Sequence, residues 1–281
     1  MKKLVLSLLL VSSTMFGQKI DFEEYDLPNG LHVILHQDNS APIVTTGVMY
    51  HVGSKDEQEG KTGFAHFFEH LLFEGTHNIK RGEWFKIVSS HGGQNNANTT
   101  TDRTYYYETF PSNNLELGLW MESDRLLQPI INQIGVDTQK EVVQEEKRQR
   151  LDNQPYGRFM YGEALSPHVF DKHPYRWSVI GSFEDLKGAK LEDFQHFSST
   201  YYVPNNAVLV IAGDFKMKEA KQMVEKYFGM IPRGAEVKKS FPKEEPITKE
   251  RRVTEYDSNI QIPLLAINYR TSDNKSKDAF T

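Results

Sequence analysis

The sequence has 281 residues, no cysteine, 25% charged residues and a formal net charge of −5 at pH 7. These values suit a folded globular chain of one large or about two smaller domains, and the mild acidity predicts no nucleic-acid partner. Without cysteine the chain can form no disulfide, so any metal has to be bound by histidine and carboxylate side chains.

The first 17 residues have the layout of a secretory signal peptide. A basic start at Lys2 and Lys3 precedes an apolar run over residues 4–11, and small and polar residues follow up to Gly17. The alternative is an N-terminal membrane anchor, but the run is shorter than the roughly 20 residues that a spanning helix needs. We therefore expect cleavage near Gly17, no stable membrane anchor, and a periplasmic or secreted location in a bacterium.

Strands and helices follow one another without strict alternation after residue 20. Runs of β-branched and aromatic residues predict strands within 21–52, at Thr104–Phe110 and at Ala207–Gly213. Helices are predicted at 61–73, 82–90, from Asn113 or Asn114 to before Pro129, 137–150, 191–201 and 217–229. This mixture predicts the α+β class.

The composition changes near the end of the chain. Residues 233–252 are rich in Lys, Glu and Pro, which is typical of a linker. Residues 260–269 are apolar and predict the first strand of another domain. We therefore predict a folded domain over 18–232, a linker over 233–252, and the truncated start of a second domain over 253–281.

The sequence H-x-x-E-H occurs within the predicted helix 61–73, as His66, Glu69 and His70. Histidines four positions apart lie one turn apart on the same side of a helix, as two ligands of one zinc ion must. Glu69 is placed beside them, within reach of a metal-bound water. The apolar positions form a separate stripe for the core, namely Phe64, Phe67, Phe68, Leu71 and Leu72. The alternative is a chance pattern on an ordinary helix, which is rare.

A catalytic zinc ion needs a third protein ligand, and the predicted helix 137–150 offers Glu141, Glu145 and Glu146. The spacing predicts an inward stripe made of Gln139, Val142, Val143 and Glu146. Glu141 and Glu145 lie together among basic residues, as on a solvated face. We therefore prefer Glu146 as the ligand. The alternative is that all three glutamates are ordinary solvent-exposed residues of a charged helix.

With these residues in place, the sequence resembles the pitrilysin/insulinase family of zinc metallopeptidases, the inverzincins, in which H-x-x-E-H reverses the thermolysin order. In that family the third ligand is a glutamate about 75 positions downstream, and 75 residues lie between His70 and Glu146. The resemblance covers roughly residues 22–280. Further matching segments begin at Gly92, Ser123, His173 and Tyr202.

The resemblance implies a secreted or periplasmic zinc-dependent metalloendopeptidase. Its fold would be a mixed, mainly antiparallel sheet with helices packed on one face. His66, His70 and Glu146 would bind Zn²⁺, and Glu69 would be the general base for a metal-activated water.

The resemblance also gives a place for the peptide substrate. The segment with Asn96 and Ala97 would be a strand edge, to which an extended peptide adds as one more strand. From its residues alone this segment would be a polar loop before a strand. Two other positions depart from the family, which usually has Glu-Arg where this chain has Gln139 and Lys140. The supporting role of that glutamate near the metal is therefore not transferred to Gln139.

Family members enclose their substrate between two similar halves, and the second half helps to bind it. The residues after 252 are too few to build such a half, so we expect it to follow in the same protein or to come from a partner subunit. One alternative function is a non-catalytic or partner-dependent peptidase-like subunit that binds peptide or a second half. Another is a zinc hydrolase that acts on something other than peptide.

Overall fold

The computed structural model describes residues 20–271 and 276–277, so the predicted signal peptide, residues 1–17, lies outside the described part. The strands are β1 Glu23–Asp26, β2 His32–Gln37, β3 Ile43–Tyr50, β4 Gln94–Thr99, β5 Thr104–Pro111 and β6 Ala207–Gly213. The α-helices are α1 Phe64–Leu71, α2 Trp84–Ser90, α3 Leu115–Leu127, α4 Gln133–Lys147, α5 Gly157–Met160, α6 Ser166–Val169, α7 Phe183–Gly188, α8 Leu191–Tyr201 and α9 Met217–Phe228. Among the described residues, no helix has the length and apolar character to cross a membrane.

The six strands form one sheet in the order β1-β2-β6-β3-β5-β4. β2 and β6 run parallel, and the other neighbouring strands run antiparallel. The mixed, mainly antiparallel sheet expected from the resemblance is therefore confirmed. β4 lies at one edge, so its outer side faces no other strand of the described chain.

The helices cover one face of this sheet. Along β5 the residues Thr104, Tyr106, Glu108 and Phe110 are buried, whereas the residues between them are partly exposed. This alternation is expected of a strand with one covered face. α3 packs on β3 and β5, and α1 packs beside β4 and β5. The H-x-x-E-H sequence on α1 is thus held between the covered face and the helices α4 and α8.

A buried charged cluster joins α3 to the sheet. The guanidinium of Arg125 donates to Glu122 Oε1 at 2.8 Å and lies 3.5 Å from Glu108 Oε1 on β5. It also lies over the rings of Trp84 and Tyr106, at 3.8 and 4.5 Å from their centroids. Burial, together with the nearby Glu122, raises the pKa of Glu108 well above its ordinary value. Burial therefore favours the protonated form of Glu108, and Glu122 makes the shorter contact with Arg125.

Two strand predictions have different outcomes. The apolar residues 260–269 form no strand, so this prediction is wrong. A strand needs a neighbour to pair with, and the described residues provide none here. In contrast, the polar segment Gln94–Thr99 forms β4. This confirms the edge strand implied by the resemblance and corrects the loop that its residues alone predict.

The C-terminal segment, defined here as residues 234–271, runs along the surface without helix or strand. Arg251 makes two hydrogen bonds to Asp171, at 2.8 and 2.9 Å, and Glu255 lies 2.6 Å from His168. Several apolar side chains of the segment point into solvent, and Leu265 is 85% exposed. The segment is therefore attached by polar contacts and by the packing of Phe241 on His173, while most of its other apolar residues have no core to enter among the described residues.

Candidate metal centre

The start of α1 is fixed by a buried carboxylate. Glu57 accepts hydrogen bonds from the backbone N–H groups of Gly63 and Ala65, at 2.9 and 2.8 Å, where a helix has unpaired donors. Gly63 has φ +85°, and a Cβ there would lie 2.5 Å from the carbonyl oxygen of Ile180. The turn into α1 thus requires glycine, and it sets the direction in which the helix presents its histidines.

The structure brings the three predicted ligands together. One ligand atom from each of His66, His70 and Glu146 can be chosen so that all three lie within 4.8 Å of one another. Glu146 Oε2 lies 3.6 Å from His66 Nε2 and 3.2 Å from His70 Nε2. Glu145, the competing carboxylate on α4, points away and pairs with Arg148 at 2.9 Å. The predicted inward stripe is wrong at Val142, which is 44% exposed.

Burial and neighbouring charges shift the pKa values of the three side chains in different directions. Burial and the neighbouring His70 lower the pKa of His66 to about 4, so its ring is neutral and has a free lone pair. Burial acts to raise the pKa of Glu146, but the hydrogen bond with His70 and the charges of both histidines lower it overall. Burial acts to lower the pKa of His70, but the hydrogen bond and the charge of Glu146 raise it overall. Two imidazoles and one carboxylate are the donor set of a catalytic zinc site, so the residues fit Zn²⁺.

Glu69 lies beside the ligand cluster and is itself largely buried. Its Oε2 accepts a hydrogen bond from Thr99 Oγ1 on β4 at 2.5 Å. Burial raises the pKa of Glu69 above its ordinary value, although the bond from Thr99 opposes this. A carboxylate with a raised pKa is a better proton acceptor near neutral pH than an exposed one.

Two of the proposed ligands, His70 and Glu146, make further contacts through the atoms that do not face the other ligands. His70 Nδ1 lies 3.1 Å from Gln139 Oε1, and Gln139 Nε2 donates to Glu74 Oε1 at 2.6 Å. On the other ligand, Arg150 Nε lies 3.1 Å from Glu146 Oε1. Arg150 belongs to a π-helical turn, Arg148–Asp152, that continues α4, and turns of this kind are frequent at functional sites.

The predicted substrate-binding residues lie on β4, next to the metal centre. Asn96 is exposed, and Ala97 is partly buried. The backbone N–H of Ala97 donates to Asn96 Oδ1 at 2.9 Å, so this N–H is not used to pair with β5. Thr99, two residues further, links the same strand to Glu69. β4 therefore packs beside α1, the helix that carries the histidines and Glu69.

Sequence reasoning assigned no role to three residues that the structure places at this site: Glu74, Thr99 and Arg150. Arg150 follows Glu146 by four positions, which is the spacing of an ion pair on a helix and was a usable signal. The contacts of Glu74 and Thr99 join segments that are distant in the sequence, so no local pattern indicates them.

Comparisons with known proteins agree with this geometry. Residues 32–181 match the family described as Insulinase (Peptidase family M16), and residues 189–281 match the Peptidase M16 inactive domain. The zinc protease PqqE of Helicobacter pylori is 31% identical over 259 residues, which cover 91% of this chain and 58% of that protein.

Solved structures show the same fold. A protease from Helicobacter pylori has a TM-score of 0.74 and 32% identity, covering 81% of this chain and 54% of its own. The periplasmic protease PqqL from Escherichia coli has a TM-score of 0.73 at 22% identity and covers 82% of this chain and 26% of its own, a likeness of fold alone. The chain thus spans little more than half of its Helicobacter relatives. With a family match over more than half of its residues, the chain belongs to the insulinase family of peptidases, family M16.

Proposed function

We propose that this chain is the zinc-binding half of a metalloendopeptidase. The observation that carries the proposal is the meeting of His66, His70 and Glu146 within 4.8 Å, with Glu69 buried beside them on the same helix as the histidines. The zinc proteases among its relatives support the same reaction class.

His66, His70 and Glu146 would hold Zn²⁺ through two Nε2 atoms and Oε2. When bound, the metal supplies a Lewis acid and lowers the pKa of a coordinated water to about 7. Glu69 takes a proton from the attacking water and transfers it to the leaving amine nitrogen. The Thr99 hydroxyl keeps one oxygen of Glu69 occupied, which leaves the other for the proton.

Peptide would bind along the free edge of β4. An added strand pairs with backbone groups, and the N–H of Ala97 points away from β5 and is available once Asn96 moves aside. Asn96 and Ala97 are therefore proposed to bind the substrate backbone. Backbone pairing tolerates many side chains, so peptides in extended form are the expected substrate class.

The variant Glu69→Gln tests the assignment of the base. The amide can still accept from Thr99, so the fold and zinc content should be unchanged, while cleavage of unstructured peptides falls at least about 100-fold. Glu141→Gln, an exposed change of the same type on α4, is the control and should behave as wild type. Zinc is measured by elemental analysis, and cleavage is measured on the product of the gene's complete reading frame. Persistent cleavage by Glu69→Gln would show that another group is the base.

A second candidate function is a partner-dependent or non-catalytic subunit. It is favoured by one observation, the exposed apolar residues of the C-terminal segment, which suggest a missing neighbour. In that case zinc would bind, but peptides would be cleaved only after addition of a second half, or not at all.

The third candidate is a zinc hydrolase that acts on something other than peptide. Inhibition of the hydrolysis by an extended peptide inhibitor would count against this candidate.

We also propose a periplasmic or secreted location. Support comes from the basic and apolar pattern of residues 1–17 and from the periplasmic protease among the structural neighbours. Mass spectrometry of the protein from its natural host should find a new N-terminus near Gly17. An intact Met1 in the membrane fraction would favour an anchor instead.

A further inference from the structure

We propose that Glu74 is a positioning residue for the metal centre, which fixes the orientation of the Gln139 amide and, through it, the tautomer of His70. The inference rests on the proposed zinc site and goes beyond its three ligands. It assigns a role to a carboxylate that touches no ligand.

The geometry is a chain of three side chains behind His70. Gln139 Oε1 lies 3.1 Å from His70 Nδ1, and Gln139 Nε2 donates to Glu74 Oε1 at 2.6 Å. The other oxygen of Glu74 accepts from Arg81 Nε. Glu74 is 7% exposed, and its Cγ lies against the backbone of Gly135 in the first turn of α4. The carboxylate is therefore held between α1 and α4 and has little freedom to turn away.

The chemistry follows from which atoms can donate. An amide has one accepting and one donating end, whereas an ionised carboxylate only accepts. Glu74 therefore selects the orientation in which Gln139 presents its oxygen, not its NH₂ group, to His70. That oxygen needs a donor, so it keeps a proton on Nδ1 of His70. Nε2 can then release its hydrogen bond to Glu146 when zinc binds and offer its lone pair to the metal.

Without the charge at position 74 this selection is lost. In Glu74→Gln the new amide can donate or accept, so Gln139 finds partners in either orientation. When the Gln139 NH₂ group faces His70, Nδ1 has to accept and the ring proton moves to Nε2. We expect zinc affinity to fall about 10-fold, within the range for loss of an outer-shell partner.

A double variant provides the rescue. Glu74→Gln combined with Gln139→Glu moves the carboxylate next to His70 and puts the amide behind it. The carboxylate at position 139 accepts the Nδ1 proton directly, and the amide at position 74 donates to it while its oxygen accepts from Arg81. We expect zinc affinity within about threefold of wild type, since the tautomer is again fixed.

The experiment measures two quantities on the full 281-residue chain and its variants. Nuclear Overhauser contacts of the Gln139 side-chain NH₂ protons, recorded without metal, report whether this NH₂ group faces position 74 or His70. Competition with a chelator of known affinity reports zinc binding. Asp137→Asn is the matched control, because Asp137 also accepts from a glutamine of α4, Gln133 at 2.8 Å, but on an exposed surface. It should leave both quantities unchanged.

The proposal predicts that the Gln139 NH₂ group faces position 74 in wild type and takes both orientations in Glu74→Gln, and that zinc affinity recovers in the double variant. It is overturned if Glu74→Gln keeps the wild-type amide orientation and zinc affinity, or if the double variant is no better than the single one. Circular dichroism confirms that each variant is folded. If wild type binds no zinc, the proposed function fails, whereas the amide orientation still decides the role of Glu74.

Discussion

Glu146 uses its two carboxylate oxygens differently. Oε2 faces the two histidines, while Oε1 lies 3.1 Å from Arg150 Nε. A carboxylate held at one oxygen has fewer orientations to lose when its other oxygen binds a cation. Arg150 thus has a role beyond that of an ordinary surface arginine, although its side chain is 52% exposed.

Arg150→Ala should weaken zinc binding, because Glu146 then loses the contact that orients it. We expect about a 10-fold loss of affinity, measured by chelator competition. Arg148→Ala is a close control, since Arg148 lies in the same π-helical turn and pairs with Glu145, which is not a proposed ligand. Equal losses in both variants would mean that the turn as a whole, and not the contact with Glu146, matters.

At the scale of elements, the contact between α3 and β5 depends on two buried glutamates that contact Arg125 at different distances. Glu122→Gln removes the carboxyl group that lies 2.8 Å from the guanidinium and should lower the free energy of unfolding by about 3–5 kcal/mol. Glu108→Gln replaces a carboxyl group whose pKa is raised by burial, so we expect a change of less than about 1 kcal/mol at pH 5. Both values come from urea unfolding, and a larger loss for Glu108→Gln than for Glu122→Gln would contradict this ranking.

The same cluster predicts a pH dependence. The folded protein keeps the Glu108 proton because burial raises its pKa, whereas the unfolded chain releases that proton above the ordinary value of 4.5. The contribution of Glu108 is therefore present below that pH and is lost as the pH rises. Between pH 5 and 8 wild type should lose stability relative to Glu108→Gln, which has no proton to release. A constant difference between the two proteins would contradict the protonated state.

The elements of the site could be predicted only in part. H-x-x-E-H places the histidines on a helix because their spacing matches one turn, and α1 confirms that helix. The predicted helix 137–150 begins earlier, at Gln133, because the side chain of Asn132 accepts from the N–H of Gly135 and caps it. Asn114, one of the two residues predicted to begin α3, is its N-cap residue, but its side chain makes no capping hydrogen bond and donates to the carbonyl of His91.

Contacts between distant segments are the part that residue patterns miss. The hydrogen bond between Thr99 and Glu69 depends on where β4 lies in the sheet. The polar residues of β4 do not by themselves predict a strand. The link from Glu74 to Gln139 likewise requires the packing of α1 on α4. Local spacing cannot indicate either one, because both partners are set by the tertiary fold.

At the scale of the whole molecule, the predicted domain boundaries remain a prediction that truncation can test. A chain ending at residue 236 keeps all six strands. It loses the exposed ion pairs of the C-terminal segment, each worth about 0–1 kcal/mol, and the partly buried pair of Lys239 with Asp56. We expect its thermal midpoint to fall by no more than about 5 °C, with zinc binding unchanged. Loss of folding would show that the segment belongs to the domain.

The truncated chain should also associate less at high concentration, as measured by light scattering. The residues removed include Ile262, Leu265 and Ile267, which are 71%, 85% and 71% exposed. Exposed apolar residues of this kind promote self-association. A mutant chain with these three residues changed to serine separates that effect from the loss of length.

The position of β6 has a consequence for the order in which the protein forms. β2 and β3 are neighbours in the sequence, but β6 lies between them in the sheet, with His32 opposite Val208 on one side and Val48 opposite Leu209 on the other. During synthesis the two parts of the sheet cannot join until the ribosome has released residues 207–213. Pairings between such distant segments form slowly. The nascent chain therefore stays open long after both histidines have emerged, and the proposed metal centre is among the last parts to gain a stable support.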